Sequence, residues 1–269
     1  MPTLSLSSEV LAIPSLEHQK HLGAFLIEIF SSIQGEGLAV GQRHLFLRFL
    51  GCHIQCAYCD TPETHTKQRQ CRVELTPGQR DFMEVSNPLP IDQILSFIHH
   101  LEVFPGLHQA ISLTGGEPLQ HLKALQALLP SLKPHFNLYL ETDGILFQNL
   151  KTILPFLDTI AMDLKIPSAT QLKPFWEEHR QFIKMAASKN LFVKLVVTSA
   201  FLQTELEAVL ELIRECDASI PLILQPVTPY GMVKDVPTAY QLLEWHKQAC
   251  QVLKDVRIIP QMHKLMRHL

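Results

Sequence analysis

The chain has 269 residues, 46% of them hydrophobic, which is material for one large domain or two small ones around a buried core. Its net charge of −3 carries no block of like sign, which argues against docking along a nucleic-acid backbone and favours a small-molecule substrate. No apolar run approaches the ~20 residues of a membrane span. The first residues lack the basic start, apolar middle and cleavage site of a secretory signal, so a cytoplasmic protein with reduced thiols is expected.

In chain order, residues 1–22 form an N-terminal extension ahead of a core domain over 23–269. Candidate strands come first at Phe25–Phe30 and His44–Leu50. Residues 62–90 read as an inserted loop or lid, poor in apolar residues and punctuated by Pro77, Gly78, Pro88 and Pro90. A helix follows in which Ile91, Ile94, Leu95, Ile98 and Leu101 share one face. Strands at Ala110–Thr114, Asn137–Thr142, Thr159–Lys165, Leu191–Val197, Pro221–Val227 and Val256–Pro260 then alternate with helical patterns. One of these helices has Thr204 and Glu207 in capping-box spacing ahead of Leu206–Ile213. Alternation of this kind predicts an α/β fold with a mostly parallel sheet. Such a sheet collects its functional groups at the C-terminal ends of the strands. The unusual polar stretches GCHIQCAYCDT, GGEP, DG, KIPS, TSA, QPVTP and QMHK each follow a predicted strand. A single barrel-like domain follows from that pattern.

Cys52, Cys56 and Cys59 give C-x3-C-x2-C on a tight loop. A structural zinc site would need a distant fourth ligand, for which His65 or Cys71 stands near, and lacks the paired knuckles of a zinc ribbon. A catalytic dithiol needs only two of the three. Three corners of a 4Fe-4S cubane, with the fourth iron free for a ligand, suits the spacing better. Cys71, Cys216 and Cys250 read as ordinary thiols.

The three-cysteine motif together with GGEP at Gly115–Pro118 resembles the radical S-adenosylmethionine (SAM) superfamily. The resemblance implies a partial (β/α)6-type, TIM-like barrel, a 4Fe-4S cluster on Cys52, Cys56 and Cys59, and SAM on the open iron, cleaved there to a 5′-deoxyadenosyl radical. It places Tyr58 near the adenine. It assigns SAM contacts to Gly116, Glu117, Asp163, Leu164, Lys165, Gln225 and Pro226. Glu141, Thr142, Asp143 and Gly144 end another strand and are expected at the methionine or ribose part.

The stretch FSSIQGEG followed by RFLGC, together with CDT, LTGGEP, DLKIPS, LQPV and IIPQMHK, resembles the 7-carboxy-7-deazaguanine synthase family over nearly the whole chain. The resemblance implies ring contraction of 6-carboxy-5,6,7,8-tetrahydropterin with loss of ammonia, as a lyase step in queuosine biosynthesis for tRNA modification. It implies substrate contacts from Ile33, Gln34, Gly35, Glu36, Arg48, Thr114, His263 and the terminal Leu269, and magnesium at Thr61. A homodimer reduced by flavodoxin or ferredoxin is also expected. The residues support several of these roles. Gln34 and Glu36 offer donors and acceptors to a heterocycle edge. Arg48 interrupts an apolar strand and needs a carboxylate partner, from the substrate or from an internal Asp or Glu. The alternatives are a glycyl-radical-enzyme activase, with the same cluster and a protein substrate, and a zinc-binding structural module.

Overall fold

In the computed structural model, residues 22–267 are described. The residues before 22, most of the predicted N-terminal extension, and the terminal Leu269 lie outside them. The first strand, β1 (Gly23–Ala24), pairs with the short β6 (Leu89–Pro90). All other strands join one ten-stranded sheet. β2 (Leu26–Ile33) and β3 (Arg43–Phe49) are antiparallel. From β3 the sheet continues in parallel through β7 (Ala110–Gly115), β8 (Leu138–Thr142), β9 (Thr159–Asp163), β10 (Asn190–Val197), β11 (Leu222–Pro226) and β12 (Val256–Ile258). These seven strands are the ones whose polar sequels the sequence singled out, so all seven polar loops leave the same edge. This is the α/β, mostly parallel sheet of a partial barrel.

Helices cover the sheet because their apolar stripes match its buried face. In α1 (Ile91–Leu101) the buried positions are Ile91, Ile94, Ile98 and Leu101, at the predicted spacing. α2 (Leu122–Leu132), α3 (Phe147–Ile153) and the short α4 (Pro167–Thr170) follow β7, β8 and β9. α5 (Trp176–Ala186), α6 (Gln203–Asp217) and α7 (Ala239–Cys250) complete the layer, and α8 (Met262–Leu265) ends it. The core strands are buried on both faces: in β10, Val193, Leu195 and Val197, all 0% exposed, lie on one face, and Phe192 and Val196, at 1% and 6%, on the other. None of the described helices is long and apolar enough to cross a membrane.

Two local expectations are corrected. Residues 62–90 are not a loop: β4 (Gln70–Glu74) pairs in parallel with β2, and β5 (Phe82–Ser86) returns antiparallel to it, extending the sheet. Cys71 and Val73 point inward between the charged Arg72 and Glu74, so the apolar signal is only two residues long. Helix α6 begins at Gln203, before the predicted capping box. Its actual brace is Glu205, which accepts from the backbone N–H of Leu202 at 3.2 Å and of Ser168 at 2.8 Å.

Candidate active site

The loops at the C-terminal edge enclose a cavity of about 380 Å³. Its first and last lining residues, Ile33 and Lys264, lie far apart in the chain, yet the end of β2 brings the one there and α8 the other. On one side lie Gln34, Gly35, Glu36, Arg48, Thr114 and His263. On the other lie Cys52, Cys56, Tyr58, Cys59, Thr61, Gly116, Asp163, Lys165 and Gln225.

The first side is built from the QGEG turn. The Gln34 amide donates to Glu141 Oε1 at 2.7 Å and accepts from the Glu36 N–H at 3.0 Å. Thr114 Oγ1 donates to Glu141 Oε2 at 2.7 Å. Glu141 therefore orients two of the predicted substrate contacts, not the methionine or ribose end expected for it. Burial raises its carboxyl above the ordinary range. Arg48 has the internal partner the sequence left open: its Nε lies 2.8 Å from Glu28 Oε1, and its guanidinium sits 5.5 Å over the Phe30 ring. Its terminal nitrogens have no partner among the described residues. They remain available to a carboxylate in the cavity. α8 closes this side, with the Met262 N–H donating to the Gly35 carbonyl at 2.8 Å.

The second side is held by charge. Burial alone would raise Asp163, but the ammonium groups of Lys165, 3.0 Å from Oδ2, and Lys194, 3.2 Å from Oδ1, outweigh it and keep the carboxylate ionised. Lys165 also donates to the Tyr58 hydroxyl at 3.2 Å, which ties the cluster loop to β9. Burial pushes the Cys52 thiol up to about 12 and raises Cys56 as well. A thiolate there needs a cation bound to it.

Glu117, Leu164 and Pro226 do not line the cavity. The Glu117 carboxylate, expected at SAM, is fully buried, and its hydrogen bonds are made within the protein. It caps the turn at Pro118–His121 through the Leu119 N–H, 2.9 Å away. It also accepts from Thr142 Oγ1 at 3.0 Å and the Asp143 N–H at 2.8 Å. Gly116 serves the packing of two loops: a Cβ there would sit 1.9 Å from the Gly51 carbonyl of the cysteine loop. Leu164 is a core residue whose N–H bonds to Lys194 O at 2.9 Å, and Pro226 ends the β10–β11 ladder.

Several residues that shape the cavity were missed. Lys194 interrupts an apolar strand just as Arg48 does, and the same signal was available for it. Gln261 donates to Glu36 at 2.7 Å and to Asp60 at 3.2 Å, and Lys264 reaches Asp60 at 2.6 Å. Only the packing of α8 on the cysteine loop reveals those bonds.

Fit to a bound cluster and SAM rests on what the cavity leaves unsatisfied. The buried acceptor Gln225 Oε1 has no hydrogen-bond partner among the described residues, while Asp143 Oδ2 and Asp163 Oδ1 have only ion-pair contacts, to His53 Nε2 at 3.4 Å and Lys194 Nζ at 3.2 Å. An ammonium group and a ribose diol are the donors such acceptors want. The three cysteines are free thiols, partly exposed to the same cavity. Among the described residues, no three His, Cys, Asp or Glu side chains converge to hold a single metal ion. A cubane makes a different demand, one cysteine on each of three irons.

A sequence profile described as the Radical SAM superfamily matches residues 47–219. The 7-carboxy-7-deazaguanine synthase of Geobacter sulfurreducens is 42% identical over 92% of this chain and 98% of its own. The chain belongs to the 7-carboxy-7-deazaguanine synthase family. That family relationship extends to the Methanothermobacter thermautotrophicus synthase, 33% identical over 90% of this chain and 96% of its own. QueE from Escherichia coli has a similar fold, with a TM-score of 0.58 at 20% identity, covering 92% of this chain and 98% of that one. As a radical SAM family, it implies a 4Fe-4S cluster and SAM, and the residues above fit both.

Proposed function

We propose that this protein is a 7-carboxy-7-deazaguanine synthase that converts 6-carboxy-5,6,7,8-tetrahydropterin to 7-carboxy-7-deazaguanine and ammonia. The atoms balance with no net oxidation. The observation that carries the reading is one cavity with two unlike parts. One part is hydrogen-bonding and suits a pterin edge, and the other holds three cysteines beside the buried acceptors of Asp143, Asp163 and Gln225. When bound, the cluster and SAM supply removal of a hydrogen atom beside the substrate carboxylate, and its later return.

The chain's own residues bind and orient. Glu36 and the spare Gln34 N–H face the amino and ring N–H edge of the pterin. The terminal nitrogens of Arg48 take the carboxylate, pairing charge with charge in a fixed geometry. Gly35 lets the main chain approach, and Ile33 and His263 flank the ring. Cys52, Cys56 and Cys59 hold the cluster. Tyr58, Gly116, Asp163, Lys165 and Gln225 hold SAM, while Leu164 and Pro226 support the strand ends that carry Asp163, Lys165 and Gln225. Thr61 lines the cavity beside Asp60 and is the protein oxygen offered to magnesium, whose remaining ligands are water and substrate oxygens. The same reading takes the protein as a cytoplasmic homodimer, reduced by flavodoxin or ferredoxin and making no direct contact with nucleic acid.

The test is anaerobic incubation of the cluster-loaded protein with the carboxytetrahydropterin, SAM and a reductant, read by product mass. Formation of the deazaguanine supports the reading. SAM cleavage without that product, in the presence of substrate, rejects it.

A further inference from the structure

Lys194 sits in the middle of β10, where NLFVKLVV is otherwise apolar after its first residue. Its side chain is 6% exposed and lines the cavity. A lysine ammonium has three donors. One goes to Glu36 Oε2 on the QGEG turn. A second faces Asp163 Oδ1, 3.2 Å away, as an ion pair. The third has no partner among the described residues. Glu36 and Asp163 thus share one cation, the first from the QGEG turn and the second from the end of β9.

We propose that Lys194 is a positioning residue that couples the two halves of the cavity, setting Glu36 for the pterin and Asp163 for SAM through one ammonium group. The inference rests on the proposed function. A lysine ammonium is a compact charge on a flexible stem, free to redistribute between two acceptors. For a side chain this buried its position matters more than at a surface. A pterin N–H donated to Glu36 satisfies part of that carboxylate. The ammonium then shifts toward Asp163 Oδ1 and strengthens that ion pair. Asp163 is fixed where a SAM hydroxyl meets it. By linkage, SAM must tighten the pterin by the same factor. A lysine that only neutralises two buried carboxylates predicts no such factor.

The experiment is anaerobic calorimetry on the cluster-loaded protein with the cluster oxidised, so that no turnover occurs. The pterin affinity is measured with and without SAM. The wild type is expected to bind the pterin on the order of tenfold tighter with SAM present. In Lys194→Met the ratio is expected to fall to one. Gln34→Ala, which touches the pterin wall only, is expected to weaken the pterin while keeping the ratio. If Lys194→Met does not fold or load its cluster, Glu36→Gln with Lys194→Met replaces both charges by neutral isosteres and is read the same way. A wild-type ratio of one, or a ratio retained in either Lys194 variant, overturns the coupling. A wild type that forms product yet shows no ratio rejects the coupling alone. A wild type that neither binds nor converts the pterin rejects the functional reading and this inference with it.

Discussion

Gly35 has no room for a side chain, because a Cβ would lie 2.3 Å from His263 Nδ1 and 2.5 Å from the His263 backbone nitrogen. Gly35→Ala must push α8 off the QGEG turn. We expect kcat/KM to fall at least about tenfold, in line with the cost of a small misplacement at a reacting site. The cluster absorbance should not change. His44 makes a second residue-scale prediction. Burial, then the neighbouring His108, lowers it from 6.5 to about 4. Its neutral ring accepts or donates within a buried pair with Ser112 Oγ at 2.8 Å. A depressed pKa gives stability that is full above pH 6.5 and lost as pH falls toward 4. His44→Gln removes that loss, so the difference in urea stability between pH 7 and pH 5 should shrink by about 2 kcal/mol. At this scale the sequence was informative where chemistry is unusual. Three cysteines in eight residues and an arginine in an apolar strand both announced themselves. Glu117 did not, because nothing in GGEP says whether its carboxylate faces a ligand or caps a turn.

The β4–β5 hairpin shows what an element can hide. Glu74 is 1% exposed and accepts from the N–H groups of Ser31 at 2.8 Å, Gly78 at 3.0 Å and Arg80 at 2.9 Å. It joins the hairpin turn to β2 through one carboxylate. Glu74→Ala strands three donors in a site that water reaches poorly, and we expect it to cost about 2–4 kcal/mol, measured by denaturant unfolding. The reading of 62–90 as a loop failed here for the same reason. Strand formation is set by pairing with β2, and the two inward residues Cys71 and Val73 are too short a pattern to announce it. The helices were more legible. In α1 the apolar stripe recurs over three turns, so its face was fixed by periodicity alone.

Over the whole molecule, the cavity is a product of chain order folded into one place. Gln34, just past the end of the antiparallel β2, reaches the cavity from the opposite edge of the sheet, and His263 and Lys264 come from a short helix after the last strand. α8 then becomes a wall, fixed through the Gly35 carbonyl, Glu36 and Asp60. Removing residues 261–269 should abolish deazaguanine formation while leaving iron and sulfide content unchanged, because the segment bonds the cysteine loop only at Asp60 and at no cysteine. Loss of the cluster together with activity would show instead that α8 supports the cysteine loop.

The sequence by itself determined the fold class, the seven parallel strands with their polar sequels, and the cysteine loop. Each of these depends on local periodicity or on spacing within one stretch, and such patterns are written in consecutive residues. Tertiary structure alone decided which polar groups face the cavity and which are consumed by the protein. Glu117 turned inward to brace two loops, Arg48 took Glu28 while keeping its terminal nitrogens free, and Lys194 came to stand between Glu36 and Asp163. The reason is physical: a buried polar group goes to whichever partner the packing brings within reach, and those partners lie on strands far apart in the chain.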